Sequence, residues 1–246
     1  MICLVLSDIH ANLEALEAVL AHAGPFDHLW FLGDAVGYGP DPNACVERLL
    51  GLEPEVWLAG NHDWAALGKL DLETFNPEAR QAAEWTGDQL SPESHARLAR
   101  AEPQVELTDR DVTLVHASPR RPIWEYILDA GTAWENFSHF ETSLCLFGHT
   151  HVPAVYEEAV DGVLRVRVGL DEAQFLDEPE GSRWLINPGG VGQPRDGDPR
   201  ASYLRLDLER RQLTFHRVAY AIATTQRKIL AAGLPARLAA RLDYGW

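Results

Sequence analysis

Ile2-Cys3-Leu4-Val5-Leu6-Ser7-Asp8-Ile9-His10 opens the chain and decides how the rest is read. Five apolar residues run unbroken, then give way to a carboxylate and an imidazole. A run this short reads as a strand buried on both faces. It has neither the basic start nor the small-residue cleavage site of a secretory leader, so it is taken as the first strand. The same figure recurs downstream. Residues 28–32 run into Gly33-Asp34, and residues 56–59 into Gly60-Asn61-His62-Asp63. Val112–Val115 meets His116, and Leu144–Phe147 meets Gly148-His149-Thr150-His151.

Helical patterns lie between these runs. Leu13, Leu16 and Leu20 share one helical face. Asp41-Pro42 reads as an N-cap with proline at the first helical position, opening a helix to about Leu50. Residues 63–104 read as helical, and residues 119–143 as a loop with a helix. Strands alternating with helices predict a mostly parallel sheet covered by helices. From Val152 the texture changes. Residues 155–157, 163–168, 183–186, 203–208 and 213–218 read as closely spaced strands. Without helices between them, they predict a second, largely antiparallel sheet. Residues 221–242 read as helical, broken at Gly233-Leu234-Pro235. The expected fold class is α/β: two packed mixed β-sheets flanked by helices, in a single domain over residues 1–246.

In open α/β sheets the carboxyl ends of parallel strands face one crevice. Five strand ends would therefore bring Asp8, His10, Asp34, Asn61, His116, His149 and His151 together. Alone, an Asp-x-His or a Gly-Asp reads as a turn or a cap, and a lone histidine as a satisfied interior residue. Five such ends in order, each directly after a strand-like run, point to metal instead. Imidazole, carboxylate and amide oxygen suit manganese, zinc or iron better than calcium or magnesium. The x-spacing in Asp8-x-His10 and His149-x-His151 puts both side chains on one side of an extended segment.

Composition narrows the partners. Lys plus Arg is 21 and Asp plus Glu is 37, a formal charge of −16. Such acidity argues against long nucleic acids and anionic membranes. A small phosphate is not excluded, because bound cations invert the field locally. No apolar run approaches the roughly 18 residues of a membrane span. Cys3, Cys45 and Cys145 are scattered, which fits neither a disulfide framework nor a thiolate zinc site, so a cytoplasmic location is expected.

The ordered motifs Asp8-x-His10, Gly33-Asp34, Gly60-Asn61-His62-Asp63, His116 and Gly148-His149-Thr150-His151 resemble those of the calcineurin-like metallophosphoesterase superfamily. Residues 33–42, with Asn187-Pro188-Gly189-Gly190-Val191-Gly192-Gln193-Pro194-Arg195, resemble a small bacterial subgroup within it. The resemblance implies a four-layer α/β/β/α sandwich. It implies two divalent ions, manganese first, with iron or zinc as alternatives. One would be held by Asp8, His10 and His151, the other by Asn61, His116 and His149, with Asp34 bridging. His62 would face the substrate as a phosphate stabiliser or general acid, and Asp63 would orient it. Protein phosphatases of the superfamily carry an arginine after the Gly-Asp motif and another before Gly-Asn-His. Here Tyr38 and Ala59 stand in those regions, which turns the expectation away from protein dephosphorylation.

Two dications against two ligand carboxylates leave the site near +2, where a small phosphate ester would settle. A hydroxide bridging the ions would attack phosphorus in line with the leaving group. The leading expectation is a phosphodiesterase acting on small phosphodiesters or nucleotides. The alternatives are a phosphomonoesterase or nucleotide pyrophosphatase at the same site, and a metal-binding scaffold without turnover. Tyr38, Arg120 and Arg195 are the expected substrate contacts. Trp64, Trp85, Trp124, Tyr126 and Trp134 are aromatic candidates for stacking on a base.

Overall fold

The structure is a computed structural model that describes residues 1–171, 173–176 and 181–246. Its first strands are the expected apolar runs: β1 (Ile2–Leu6), β2 (His28–Phe31) and β3 (Val56–Trp57), paired in parallel. Helices α1 (Leu13–Ala23) and α2 (Pro42–Leu50) connect them. Asn12 caps α1 by accepting the Ala15 N–H. Asp41 stands at the N-cap of α2, but its carboxylate goes to the Lys228 ammonium, 2.9 Å away.

The stretch expected to be helical resolves into α3 (Asn61–Ala66), α4 (Pro77–Gln89) and α5 (Pro92–Ala99). Asn76-Pro77 and Ser91-Pro92 supply the caps and the proline starts of α4 and α5. The chain then forms β4 (Gln104–Leu107), β5 (Val112–Val115), α6 (Ala130–Asn136) and β6 (Leu144–Phe147). The remaining strands are β7 (Ala154–Glu158), β8 (Leu164–Val168), β9 (Ala173–Phe175), β10 (Arg183–Asn187), β11 (Ala201–Asp207) and β12 (Gln212–Val218). Helices α7 (Ile222–Ala231) and α8 (Ala236–Ala240) follow.

These strands make two six-stranded mixed sheets, ordered β3-β2-β1-β11-β12-β9 and β4-β5-β6-β10-β7-β8. The expected pair of mixed sheets flanked by helices is therefore present. The spacing of the late strands predicts one antiparallel sheet, but they divide between the two. β11 pairs antiparallel with β1, while β10 pairs parallel with β6. The physical reason is that the open edges of the β1–β3 and β5–β6 groups each need backbone partners. β4 and β9 are two further strands that periodicity does not reveal.

Strict alternation along the strands builds the layers. Cys3 and Val5 of β1 face the second sheet, with Val112, Leu114, Leu144, Leu146, Trp184 and Ile186 opposite. Leu4 and Leu6 face the helices, packing with Leu16 and Val19 of α1. On the far side, Cys145 and Phe147 pack with Ala133 of α6. The apolar runs are continuous because each strand is covered on both faces. The sheets share one core, so Leu146→Ala should lower unfolding free energy by about 2–5 kcal/mol in denaturant melts. A loss below about 1 kcal/mol would show that Leu146 does not fill a common interior.

Candidate metal centre

Five strand ends, three from the first sheet and two from the second, meet at one edge of the sandwich. Asp8 and His10 follow β1, Asp34 follows β2, Asn61 starts α3 after β3, His116 follows β5, and His149 and His151 follow β6. All seven side chains are buried. The turns after β1, β2 and β6, which carry five of them, are left-handed. Asp8, His10, Ala11, Asp34, Tyr38, His149 and His151 have φ between 49° and 65°, seven of the ten such non-glycine residues among those described. This conformation costs of order 1–3 kcal/mol per residue and persists only where surroundings enforce it. Main-chain bonds do so here: the N–H groups of Asp8, His10 and Ala11 donate to the carbonyls of Gly33, Asp34 and Ala35 at 2.9–3.0 Å. Two glycines permit the approach. A Cβ on Gly60 would fall on Asp34 Oδ1, and one on Gly148 would fall on Ser7 Oγ.

The histidines are aimed by carbonyls. His10 Nδ1 bonds the Val36 carbonyl at 3.1 Å, His116 Nδ1 that of Leu32 at 2.8 Å, and His151 Nδ1 that of Gln193. A carbonyl acceptor fixes the proton on Nδ1 and leaves the Nε2 lone pair facing inward. Two pairs of acceptors then confront one another. His10 Nε2 lies 3.1 Å from His151 Nε2, and His116 Nε2 lies 3.2 Å from Asn61 Oδ1. Each carboxylate commits one oxygen and leaves the other bare. Asp8 Oδ2 accepts from Ser7 Oγ and the His149 N–H, and Asp34 Oδ1 accepts the His62 N–H. Asp8 Oδ1, Asp34 Oδ2 and His149 Nε2 are buried without a hydrogen-bond partner.

Facing lone pairs and orphaned buried oxygens are costly unless a cation lies between them. The donors form two groups that could each hold an ion: Asp8, His10 and His151, and Asp34, His116 and His149. Asp34 Oδ2 lies 3.7 Å from His10 Nε2 and 3.5 Å from His116 Nε2, so it stands between the groups. The residues therefore fit divalent cations in number, type and arrangement. Burial pushes the pKa of His10, His116, His149 and His151 below the ordinary imidazole range, as neutral ligands require. Burial, with the Asp63 and Asp8 carboxylates nearby, drives Asp34 well above the carboxylate range.

His62 lies beside this centre. Its ring is 4.9 Å from that of His10 and 4.2 Å from that of Tyr38, and its Nδ1 is buried without a partner. Asp63 does not touch the His62 ring. Its two oxygens accept the N–H groups of Asp34, Val36 and Gly60 at 2.9–3.1 Å, which ties the β2 turn to the start of α3. Any effect on His62 therefore runs through the main chain. Arg195 bonds Gln193 Oε1 at 3.1 Å, and its guanidinium centre lies 5.8 Å from the Tyr38 ring centroid. Arg120 is occupied elsewhere, by Glu125 and Glu135.

Of the aromatic candidates, Tyr126 packs 4.0 Å from the His149 ring and is 44% exposed. Trp124 stacks edgewise on Phe75, whose ring is 5.3 Å from His62. Trp64 and Trp85 pack against hydrophobic clusters, and Trp134 is exposed. Sequence reading did not single out Phe75, Ser7 or the buried Asn187. The Asn187 amide donates to the Gly148 carbonyl at 2.7 Å and to Thr150 Oγ1 at 3.0 Å, steadying the turn that carries His149 and His151. Its place in the glycine-rich 187–195 loop was the available signal.

The profile of the calcineurin-like phosphoesterase superfamily domain matches residues 1–211. The crystal structure of a metallophosphoesterase from Sphaerobacter thermophilus superposes with a TM-score of 0.89 at 48% identity, covering 100% of both chains. A hypothetical protein from Pyrococcus horikoshii superposes at 0.78 and 18% identity, over 100% of this chain and 98% of its own, which extends the likeness of fold. An uncharacterised protein of Methanocaldococcus jannaschii is 38% identical over 98% of this chain and 97% of its own length. The chain thus falls in the class of phosphoester hydrolases with metal-binding residue groups. It belongs to the calcineurin-like phosphoesterase superfamily.

Asn187→Ala should remove the amide from two buried acceptors, costing about 1–3 kcal/mol of stability. It should also weaken manganese binding in calorimetric titrations. Unchanged affinity would mean that the turn holds its shape without Asn187.

Proposed function

We propose that the chain is a phosphodiesterase that hydrolyses small phosphodiesters or nucleotides at a two-ion centre. The observation that carries this reading is the position of Asp34 Oδ2, bare, buried and between two groups of neutral imidazoles. Asp8, His10 and His151 would hold one ion, and Asn61, His116 and His149 the other, with Asp34 shared. Manganese suits this mixture of imidazole, carboxylate and amide oxygen, with iron or zinc as alternatives. Bound divalent ions would supply Lewis acidity, lower the pKa of a coordinated water toward about 7 and shield phosphate oxygens.

The chain's own groups do the rest. Burial and the charge of Arg195 keep His62 neutral, so one ring nitrogen carries a proton to offer. A phosphate anion beside it favours the charged form, which lets His62 protonate the departing oxygen. Asp63 positions that imidazole indirectly, by clamping the backbone on either side of Asp34. Tyr38 walls the far side of His62, and Arg195 supplies a guanidinium beside it for a non-bridging oxygen.

Diesters are favoured over monoesters by the charge available. A diester phosphate carries one negative charge, and Tyr38 and Ala59 stand in the regions where protein phosphatases of the superfamily carry arginines. Arg120 adds nothing, because two carboxylates neutralise it. A metal-binding scaffold would need the same donor atoms, but it would not need His62, which is kept beside them. Free, buried thiols at Cys3, Cys45 and Cys145 fit a reducing, cytoplasmic setting, and no described helix is long and apolar enough to cross a membrane.

Protein stripped of metal and resupplied with manganese should hydrolyse bis(4-nitrophenyl) phosphate faster than 4-nitrophenyl phosphate. Monoester preference would overturn the diester reading, and equal rates without metal would overturn the two-ion centre. His62→Ala should retain its metal by elemental analysis and lose about 10²–10⁴ in turnover of esters with poor leaving groups. Undiminished turnover would remove His62 from the mechanism.

A further inference from the structure

Helices α7 and α8 and the 3-10 turn Arg241–Asp243 lie beyond residues 1–211, the part matched by the superfamily profile. They nevertheless form one wall of the site. Leu234, Leu238 and Leu242 pack in one cluster with Tyr38, whose ring lies 4.2 Å from His62 and 4.8 Å from His10. Arg241 sits in that wall, its guanidinium centre 5.9 Å from the Tyr38 ring centroid. Arg195 reaches the same ring at 5.8 Å.

The two arginines over Tyr38 are both without a carboxylate side chain. The chain carries 37 carboxylates against 21 lysines and arginines. Among the described residues neither Arg195 nor Arg241 has a carboxylate side chain as ion-pair partner, and of the arginines without one these are the two that lie over the Tyr38 ring. Arg241 Nε donates to the main-chain oxygen of Trp246, the last residue of the sequence, which leaves its terminal nitrogens uncommitted. Arg195 Nε is buried without a partner. Burial and the neighbouring charge of Arg195 push the Arg241 pKa down to about 10. The Arg195 charge opposes that of Arg241, and an anion beside them would relieve the repulsion.

A groove of about 280 Å³ opens at Arg241, lined by Asn76, Glu78, Arg237, Leu238 and Trp246. Glu78 is the opposing charge and is held by Arg237 at 3.4 Å. The side chains that line the groove carry two positive charges, Arg237 and Arg241, against one negative, inside an acidic protein.

We propose that Arg241, backed by Arg195 and Arg237, binds a second phosphate, carried on an ester arm of the diester held at the two-ion centre. The substrate class is a phosphodiester bearing a further phosphate monoester a short sugar-length away. This rests on the phosphodiesterase reading above. It makes the C-terminal helices a specificity wall that reads charge beyond the scissile bond.

The test compares thymidine 5′-(4-nitrophenyl phosphate) with its 3′-phosphorylated counterpart on the manganese-loaded full chain. The added phosphate should raise kcat/KM on the order of tenfold through KM, the value of one charge-assisted contact. Arg241→Ala should abolish that ratio, Arg241→Lys should restore part of it, and Arg227→Ala, at an exposed site on α7, should leave it intact. Turnover of the plain diester with no preference would overturn the second-phosphate site while the diester reading stands. If neither is hydrolysed, the diester reading fails, and binding decides the site. Thymidine 3′,5′-bisphosphate should then bind more tightly than thymidine 5′-monophosphate by calorimetry, in an Arg241-dependent way. Equal affinities would overturn the proposal.

Discussion

The position of the Asp34 carboxylate is the constraint from which the site follows. One oxygen accepts the His62 N–H, and the other is bare between His10 and His116. To hold it there, β2 must end beside β3, Gly60 must lack a side chain, and Asp63 must clamp the Asp34 and Val36 amides. Each is a backbone requirement. The carboxylate then couples two donor groups, each of which draws ligands from both sheets. Neither group is complete without both sheets.

The double sheet explains how such a crowded centre is tolerated. Neutral imidazoles and carboxylates are costly to bury, and left-handed turns add strain. The interior between the sheets offsets this, with Trp30 and Trp184 fully buried among aliphatic side chains from both sides. The strained turns all lie at one rim, so the strand register beneath them is undisturbed. Function is concentrated where regular hydrogen bonding ends, and stability where it is continuous.

The parallel strands and their motif residues were legible because two signals coincide there. A run such as Leu144–Phe147, buried on both faces, is unbroken in sequence, and its end carries histidines that packing does not ask for. The sheet assignment of late strands was not legible. β11 and β7 have similar patterns, yet one completes the first sheet and the other the second. Periodicity reports which face is buried, not which edge is paired. Arg120 and Arg195 looked alike as arginines near motifs. Glu125 and Glu135 decide the first, and neither is near enough in pattern to be foreseen. Arg241 carried no local signal at all, because its relation to Tyr38 exists only through the packing of α8.

The carbonyls that aim the histidines carry a consequence for how this site diverges over time. Leu32, Val36 and Gln193 contribute main-chain oxygens, and every amino acid has one. Their side chains answer to packing and not to the metal site: Leu32 and Val36 fill apolar clusters, and Gln193 accepts from Arg195. Any substitution there that keeps the fill and the turn also keeps the aiming carbonyl. The centre is thus transmitted as a shape of the chain, with only a sparse set of letters visible on top.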